Sequence, residues 1–123
     1  MEQLFADMSE RLATLVRAIE AAVDGVPAED MDWKPAPDMN SLAVLLTHTA
    51  GALRYWVGDM AGEQPSGRVR AQEFEMRGLD TTALLGRLRE ALDHSQQVLA
   101  TLDPATLRNL EITQTLKGET APT

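Results

Sequence analysis

Residues 4–26 read LFADMSERLATLVRAIEAAVDGV, and this stretch decides the class of fold. Its apolar side chains recur at alternating steps of four and three residues, the spacing of one face of an α-helix. The main face comprises Leu4, Met8, Leu12, Leu15, Ile19, Ala22 and Val26, and Phe5, Val16 and Val23 widen it. Gly25 can adopt the left-handed conformation that closes a helix, and Pro27 cannot continue one. We therefore predict one long amphipathic helix that buries this face and ends near Gly25.

A second stretch with the same period begins at a cap that Asn40 or Ser41 can supply, since either side chain can accept a hydrogen bond from the free amides of a helix start. We predict that this helix runs to about Met60. Its main apolar face comprises Leu42, Leu46, Thr49, Leu53, Trp56 and Met60, and the adjoining face comprises Leu45, His48, Ala52 and Tyr55. His48 is therefore expected beside the core and not on the outer side of the helix.

A third helix is predicted from a cap at Asp80 or Thr81 to Asp103, which precedes a proline. Its apolar positions are Leu84, Leu85, Leu88, Ala91, Leu92, Ser95, Val98, Leu99 and Leu102. No strand-like alternation competes with this reading, so the sequence predicts an all-α protein. Residues 1–123 are taken as one domain, because the chain is long enough for one core and too short for two.

The connections are rich in proline, glycine and charge. Residues 27–40 hold three prolines and form a loop, in which Trp33 either anchors the connection on the bundle end, as we favour, or faces a ligand. Residues 61–80 form a long loop with a short helical turn around 72–76. The tail has a turn through Leu107 and Leu110 and is polar over 111–123. Because no fourth amphipathic helix is predicted, three apolar faces leave a groove that needs a partner.

Composition narrows the classes of function. The net charge is 11 − 19 = −8, and an acidic surface without a basic stripe argues against a nucleic-acid partner. The absence of cysteine excludes a disulfide framework, a thiolate metal site and a cysteine nucleophile. Residues 1–13 lack the pattern of a signal peptide, and no segment is apolar enough to span a bilayer. The default expectation is a cytoplasmic protein with no membrane partner.

Two histidines are the candidate metal ligands. A catalytic zinc site usually takes three protein ligands and a water, so His48 alone is not a site. From the residues alone, a core-edge histidine satisfied by hydrogen bonds is the better interpretation of His48, and His94 is expected to be solvated. The acidic pairs of the loops are likewise expected to be solvated charges, and they comprise Glu29 with Asp30 and Glu73 with Glu75.

A resemblance adds to this interpretation. Residues 32–42 read DWKPAPDMNSL, residues 45–48 read LLTH and residues 54–56 read RYW. In this order they resemble the DinB-like superfamily, in which a Trp-x-Pro loop leads into a helix bearing Asn-Ser-Leu and then a histidine. Residues 68–74, RVRAQEF, are similar to an Arg-x-Arg-x-x-Glu-Phe stretch in one branch of that superfamily. The likeness covers roughly residues 1–110.

The resemblance implies a four-helix bundle that often forms a homodimer and holds a divalent metal, zinc or nickel, with three histidines. One histidine lies on the second helix, and His48 matches it. The other two form a His-x-x-x-His pair on the last helix, and that helix and its pair are absent from this sequence. Characterised relatives include metal-dependent transferases and isomerases that use the thiols mycothiol or bacillithiol, among them maleylpyruvate isomerases. The sequence is either a fragment or a shortened member that lost the site.

Two hypotheses of different classes follow. In the first, the complete protein is a metal-dependent S-transferase or isomerase, with His48 as a ligand and a small thiol as co-substrate. In the second, the chain is a non-catalytic helical module that oligomerises through its exposed groove. For the 123 residues as given we expect an inactive domain. The residues present favour the second hypothesis, whereas the family resemblance favours the first.

Overall fold

The computed structural model of the chain describes residues 2–62 and 66–105. Its α-helices are α1 (Glu2–Val23), α2 (Leu42–Leu53), α3 (Arg70–Glu73) and α4 (Thr81–Thr101). A 3-10 helix (Ala28–Asp30) follows α1, and a π-helix (Arg54–Ala61) continues α2. The described residues contain no strand, so the predicted all-α class is confirmed. The tail with its predicted turn at Leu107 and Leu110 lies outside the described residues.

Helix α4 is the centre of the bundle, because α1 and α2 both pack against it. It begins where predicted, since the Asp80 side chain accepts a hydrogen bond from the Ala83 amide at 2.8 Å. It ends at Thr101, two residues before the predicted Asp103. The predicted face of α4 is confirmed at its buried positions, which are Leu84, Leu88, Ala91, Leu92, Ser95, Val98 and Leu99.

Helix α1 ends at Val23, and Gly25 takes the predicted left-handed conformation with φ of 79°. The face that it buries differs from the prediction. Its buried side chains are Phe5, Ala13, Val16 and Val23. Leu4, Met8 and Leu15 are 41–56% exposed, because within the described residues α4 covers only one side of α1. Leu12 and Ile19 of the predicted main face pack partly buried against the core, so the predicted face is covered along one edge and open along the other.

Helix α2 begins at Ser41, whose buried hydroxyl accepts a hydrogen bond from the Val44 amide at 3.1 Å. The buried side chains of α2 are Ala43, Val44, Leu46 and Ala50, whereas Leu42 and Trp56 of the predicted main face are exposed. The predicted extent of this helix, to about Met60, is confirmed, but beyond Leu53 it is a π-helix, which runs to Ala61. There the hydrogen bonds shift by one residue, and the Gly62 amide donates to the Val57 carbonyl five residues earlier, at 2.8 Å.

Met31, not Trp33, anchors the connection between α1 and α2. Met31 is fully buried in the core cluster, and its carbonyl accepts a hydrogen bond from the Ala43 amide at 2.9 Å. Trp33 is 65% exposed, so its predicted packing on the bundle end is wrong. The 3-10 helix (Ala28–Asp30) that precedes Met31 is the turn that directs this side chain inward.

Candidate functional site

Helix α3 carries a buried carboxylate to the side of α2. Glu73 is 8% exposed, so the prediction that it is a solvated loop charge is wrong. Arg68 holds this carboxylate in a bidentate pair, with Nε donating to Oε2 at 2.8 Å and Nη2 donating to Oε1 at 2.8 Å. This fork geometry compensates the cost of burying both charges. The hydrogen bonds from Arg68 are the main cause that lowers the pKa of Glu73, with a smaller contribution from His48 and with burial opposing.

His48 joins the same pair through one ring nitrogen. Its Nδ1 lies 3.0 Å from Glu73 Oε1 and 3.5 Å from Arg68 Nη2. Glu73 is ionised at neutral pH and can only accept, so the shorter contact requires the proton to be on His48 Nδ1. The other ring nitrogen, Nε2, has no hydrogen bond within the described residues. The prediction that His48 lies beside the core and is held by hydrogen bonds is confirmed.

Gly51 makes the close approach of α3 to α2 sterically feasible. A Cβ atom at Gly51 would lie 2.7 Å from Glu73 Cδ and 3.3 Å from Arg68 Nε. The Glu73 carboxylate therefore occupies the space that any other side chain would fill. Gly51 stands three residues after His48, so the same stretch of α2 supplies both the histidine and the room for its partner.

Aromatic rings flank this cluster on two sides. The ring of Phe74 lies 5.3 Å from the ring of His48, measured between centroids. The guanidinium carbon of Arg68 lies 5.5 Å from the centroid of Tyr55, within the range of a cation–π contact. The two rings restrict how His48 and Arg68 can rotate. We call His48, Arg68 and Glu73 the paired cluster.

His94 lies in a second cluster, where α4 meets the π-helix. The prediction that His94 is solvated is wrong, because its Nε2 is buried, and this atom has no hydrogen-bond partner among residues 2–62 and 66–105. A Cβ atom at Gly58 would lie 2.7 Å from that nitrogen and 3.1 Å from Arg54 Nε. Burial is the main cause that lowers the pKa of His94, and the charge of Arg54 adds to it.

Two charged side chains of the π-helix complete this second cluster. Arg54 Nε and Asp59 Oδ1 are 3.9 Å apart, too far for a hydrogen bond, and both atoms are buried and without a partner in the part of the chain that the structure describes. The other oxygen of Asp59 accepts a hydrogen bond from Ser66 at 2.6 Å. The π-helix brings Arg54 and Asp59 together, because residues five apart are neighbours only in that geometry. We call Arg54, Asp59 and His94 the unpaired cluster.

A cavity of about 350 Å³ lies between α2, α3 and α4, and we call it the α2–α4 cavity. Helix α2 and the π-helix line it with Thr47, Ala50, Gly51 and Arg54. The opposite walls include Arg68, Glu73, Met76, Arg87, Glu90 and Ala91. The cavity therefore touches both clusters, through Glu73 on one side and Arg54 on the other. It has the size of a small-molecule site.

The fit of these residues to a metal ion is partial. A histidine that ligates a metal usually donates its second ring N–H to a carboxylate, as His48 does to Glu73. That arrangement would direct Nε2 at the ion. Among residues 2–62 and 66–105, however, no group of three or more histidine, cysteine or carboxylate side chains could hold a metal. The described residues thus offer one ligand with its orienting partner and not a complete site.

Sequence reasoning identified His48 but missed the residues around it. Arg68, Glu73 and Phe74 were visible in the sequence as parts of one motif. The opposite charges of Arg68 and Glu73 within that motif were the available signal that the two side chains interact. Arg54 and Asp59 gave no such signal. Arg54 and Asp59 come close to each other because the α-helix changes to a π-helix, and no residue in this stretch predicts that change.

The fold and the paired cluster define a class, namely an all-helical bundle with a carboxylate-oriented histidine on its second long helix. The model of the DinB superfamily matches residues 11–119, and the chain belongs to this superfamily. A comparison with curated proteins gave no match. A comparison with solved structures gave none either. In the part of the chain that the structure describes, no helix is long and apolar enough to cross a membrane.

Proposed function

We propose that this DinB domain supplies one ligand, His48, to a divalent-metal site of the thiol-dependent S-transferase or isomerase type. The observation that carries the proposal is the contact from His48 Nδ1 to Glu73 at 3.0 Å. It fixes the ring and leaves Nε2 as the nitrogen with a lone pair. Membership of a superfamily that generally binds metal supports the same assignment.

The chain's own residues would position the metal-ligating histidine and would not contact the substrate. Arg68 holds Glu73, and Glu73 holds the His48 ring in one orientation. When bound, a divalent metal would lower the pKa of a thiol from a small co-substrate such as mycothiol or bacillithiol and so produce the nucleophilic thiolate. Residues 1–123 contain only His48 and His94 as histidines and no cysteine, and residues 2–62 and 66–105 bring no three candidate ligands together, so the remaining ligands would lie outside the described residues.

Calorimetric titration with Zn²⁺ and with Ni²⁺ tests this proposal, using the wild type, His48→Ala and the matched control His94→Ala. We expect binding that His48→Ala weakens by at least about tenfold and His94→Ala leaves unchanged, because only His48 has a free and oriented nitrogen. Equal affinity in the wild type and His48→Ala would contradict the ligand assignment. Light scattering on the same samples records whether metal binding requires two chains.

A second candidate function is a helical interaction module that forms a homodimer. The observation that favours it is the exposure of large apolar side chains on α1 and α2. They are Leu4, Met8 and Leu15 on α1, and Leu42 and Leu45 on α2. Apolar faces of this kind are usually covered by another surface. In the same light-scattering measurement, a metal-free dimer supports this function, and a stable monomer at micromolar concentration contradicts it.

A further inference from the structure

The α2–α4 cavity is separate from the coordinating side of His48. Thr47, Gly51 and Arg54 line the cavity at steps of four and three, so they share one face of the helix. His48 is one residue away from Thr47 and does not line the cavity. Glu73 stands between the two places, since it contacts His48 through Oε1 and borders the cavity. Whatever the cavity binds is therefore not the metal proposed for His48.

Two polar groups on the α2 side of this cavity lack the partners that buried groups normally have. The Thr47 hydroxyl and Arg54 Nε are both buried and make no hydrogen bond to any described residue. An orphaned buried polar group in a native protein usually marks a water, an ion or a ligand. Both residues line the same cavity, but these two atoms have no exposed surface in it, so an occupant would reach them after a small rotation of the Thr47 and Arg54 side chains.

The charges around the cavity indicate the chemistry of that occupant. Arg68 and Glu73 neutralise each other through two hydrogen bonds. Arg54 has only the 3.9 Å contact with Asp59, and Asp59 is already engaged by Ser66. A guanidinium group without a hydrogen-bonded partner prefers a carboxylate, which it can bind through two N–H groups. Arg87 and Glu90 also line the cavity, but both are exposed, so Arg54 is the more buried guanidinium there without a hydrogen-bonded carboxylate among the described residues.

Several other lining residues of the cavity are apolar and suit the carbon skeleton of a small-molecule ligand. Ala50, Val69, Met76 and Ala91 supply carbon surface between the polar groups. Small-molecule sites commonly combine such walls with a few polar groups that fix the orientation of the ligand. A bare inorganic anion would leave this apolar surface uncovered, whereas an organic acid would cover it.

We propose that the α2–α4 cavity binds a small organic carboxylate, with its anionic group on Arg54, a hydrogen bond to Thr47 and its apolar body against Ala50, Ala91 and Met76. The inference does not depend on the metal proposal. It rests on the cavity, on the two unpartnered groups and on the apolar walls. The binding site and the chemical class of its ligand both follow from residues that the metal hypothesis does not use.

Titration of the full chain with benzoate, followed by the backbone amide NMR signals of Ala50, Gly51 and Ala91, tests the proposal. Benzamide has the same shape without the charge and is the matched ligand control. We expect a benzoate Kd on the order of 1 mM and binding of benzamide that is at least about tenfold weaker. Equal binding of the two ligands, or no shift of these signals at about 50 mM benzoate, would overturn the proposal.

Variants locate the anion contact. Arg54→Gln is expected to weaken benzoate binding by about tenfold or more, and Thr47→Val by a smaller factor. Arg11→Gln makes the same change of charge on the exposed surface of α1 and is expected to bind benzoate as the wild type does. Unchanged affinity in folded Arg54→Gln would overturn the assignment. If that variant does not fold, the wild-type comparison of benzoate with benzamide still decides the question.

Discussion

The paired cluster and the unpaired cluster each contain one histidine, one arginine and one carboxylate, but they differ in how these groups meet. In the first, Arg68 and Glu73 share two hydrogen bonds of 2.8 Å, and His48 adds a third contact at 3.0 Å. In the second, one side-chain atom each of Arg54, Asp59 and His94 is buried without a partner within residues 2–62 and 66–105. The same three residue types thus give a closed network in one place and an open one in another.

The difference teaches what each cluster can do. A fully hydrogen-bonded network inside a low-dielectric region holds its members in one orientation, which is what a metal ligand requires. A buried polar atom without a partner costs roughly 1–3 kcal/mol, and this cost is recovered when an occupant supplies the hydrogen bond. The paired cluster is therefore suited to orienting His48, whereas of the unpaired cluster only Arg54 lines the cavity for which we propose a carboxylate ligand.

The largest expected effect comes from breaking the paired cluster. Glu73→Gln leaves the Arg68 charge buried without its partner, and we expect the free energy of unfolding to fall by about 3 kcal/mol. Urea unfolding followed by circular dichroism measures this change. Glu75→Gln, an exposed carboxamide two residues away, is the control and should fall within about 0.5 kcal/mol of the wild type.

The same two variants also test how the free energy of unfolding depends on pH. The pKa of Glu73 is lower in the folded chain than its ordinary value of 4.5, so the folded state binds this proton less readily than the unfolded state. The stabilisation is complete above pH 4.5 and is lost as the pH falls through the folded pKa. Glu73→Gln should remove this acid dependence and Glu75→Gln should retain it; the same slope in both variants would contradict the account.

A smaller effect is expected when the space for the carboxylate is filled. Gly51→Ala places a methyl group where the Glu73 carboxylate lies, and we expect a net loss of about 1–2 kcal/mol despite the better helix propensity of alanine. Gly86→Ala is the matched control, since a Cβ atom there meets nothing within 4 Å. It should stabilise the chain by about 0.5–1 kcal/mol. Thermal unfolding of both variants should therefore shift in opposite directions, and a shift of the same sign would show that Gly51 is not needed for the approach of α3.

Much of the fold was predictable because it depends on local signals. The caps at Ser41 and Asp80, the left-handed Gly25 and the buried face of α4 all follow from residue type and the helical period. The buried side of α1 was not predictable, since its apolar residues cover more than half of the helix and only the position of α4 selects among them. Local periodicity cannot choose between two apolar faces when only one neighbour is present.

The candidate site shows the same division. His48 was found from a motif and its helical position, and that part of the interpretation needed no tertiary contact. Glu73 and His94 were misjudged as solvated because the sequence shows charge and polarity but not which helix will cover them. The π-helix is the extreme case, since it brings Arg54 close to Asp59 and no residue pattern in the sequence predicts it.

The orientation of His48 is the central claim, and the ring ¹⁵N chemical shifts of the two histidines test it most directly. In the metal-free chain we expect the neutral ring of His48 to carry its proton on Nδ1, because ionised Glu73 can only accept. His94 should titrate below the ordinary histidine pKa, because burial disfavours its charged form. A His48 ring protonated on Nε2, with Nδ1 bare, would contradict the account, since Glu73 would then orient nothing and no lone pair would face a metal.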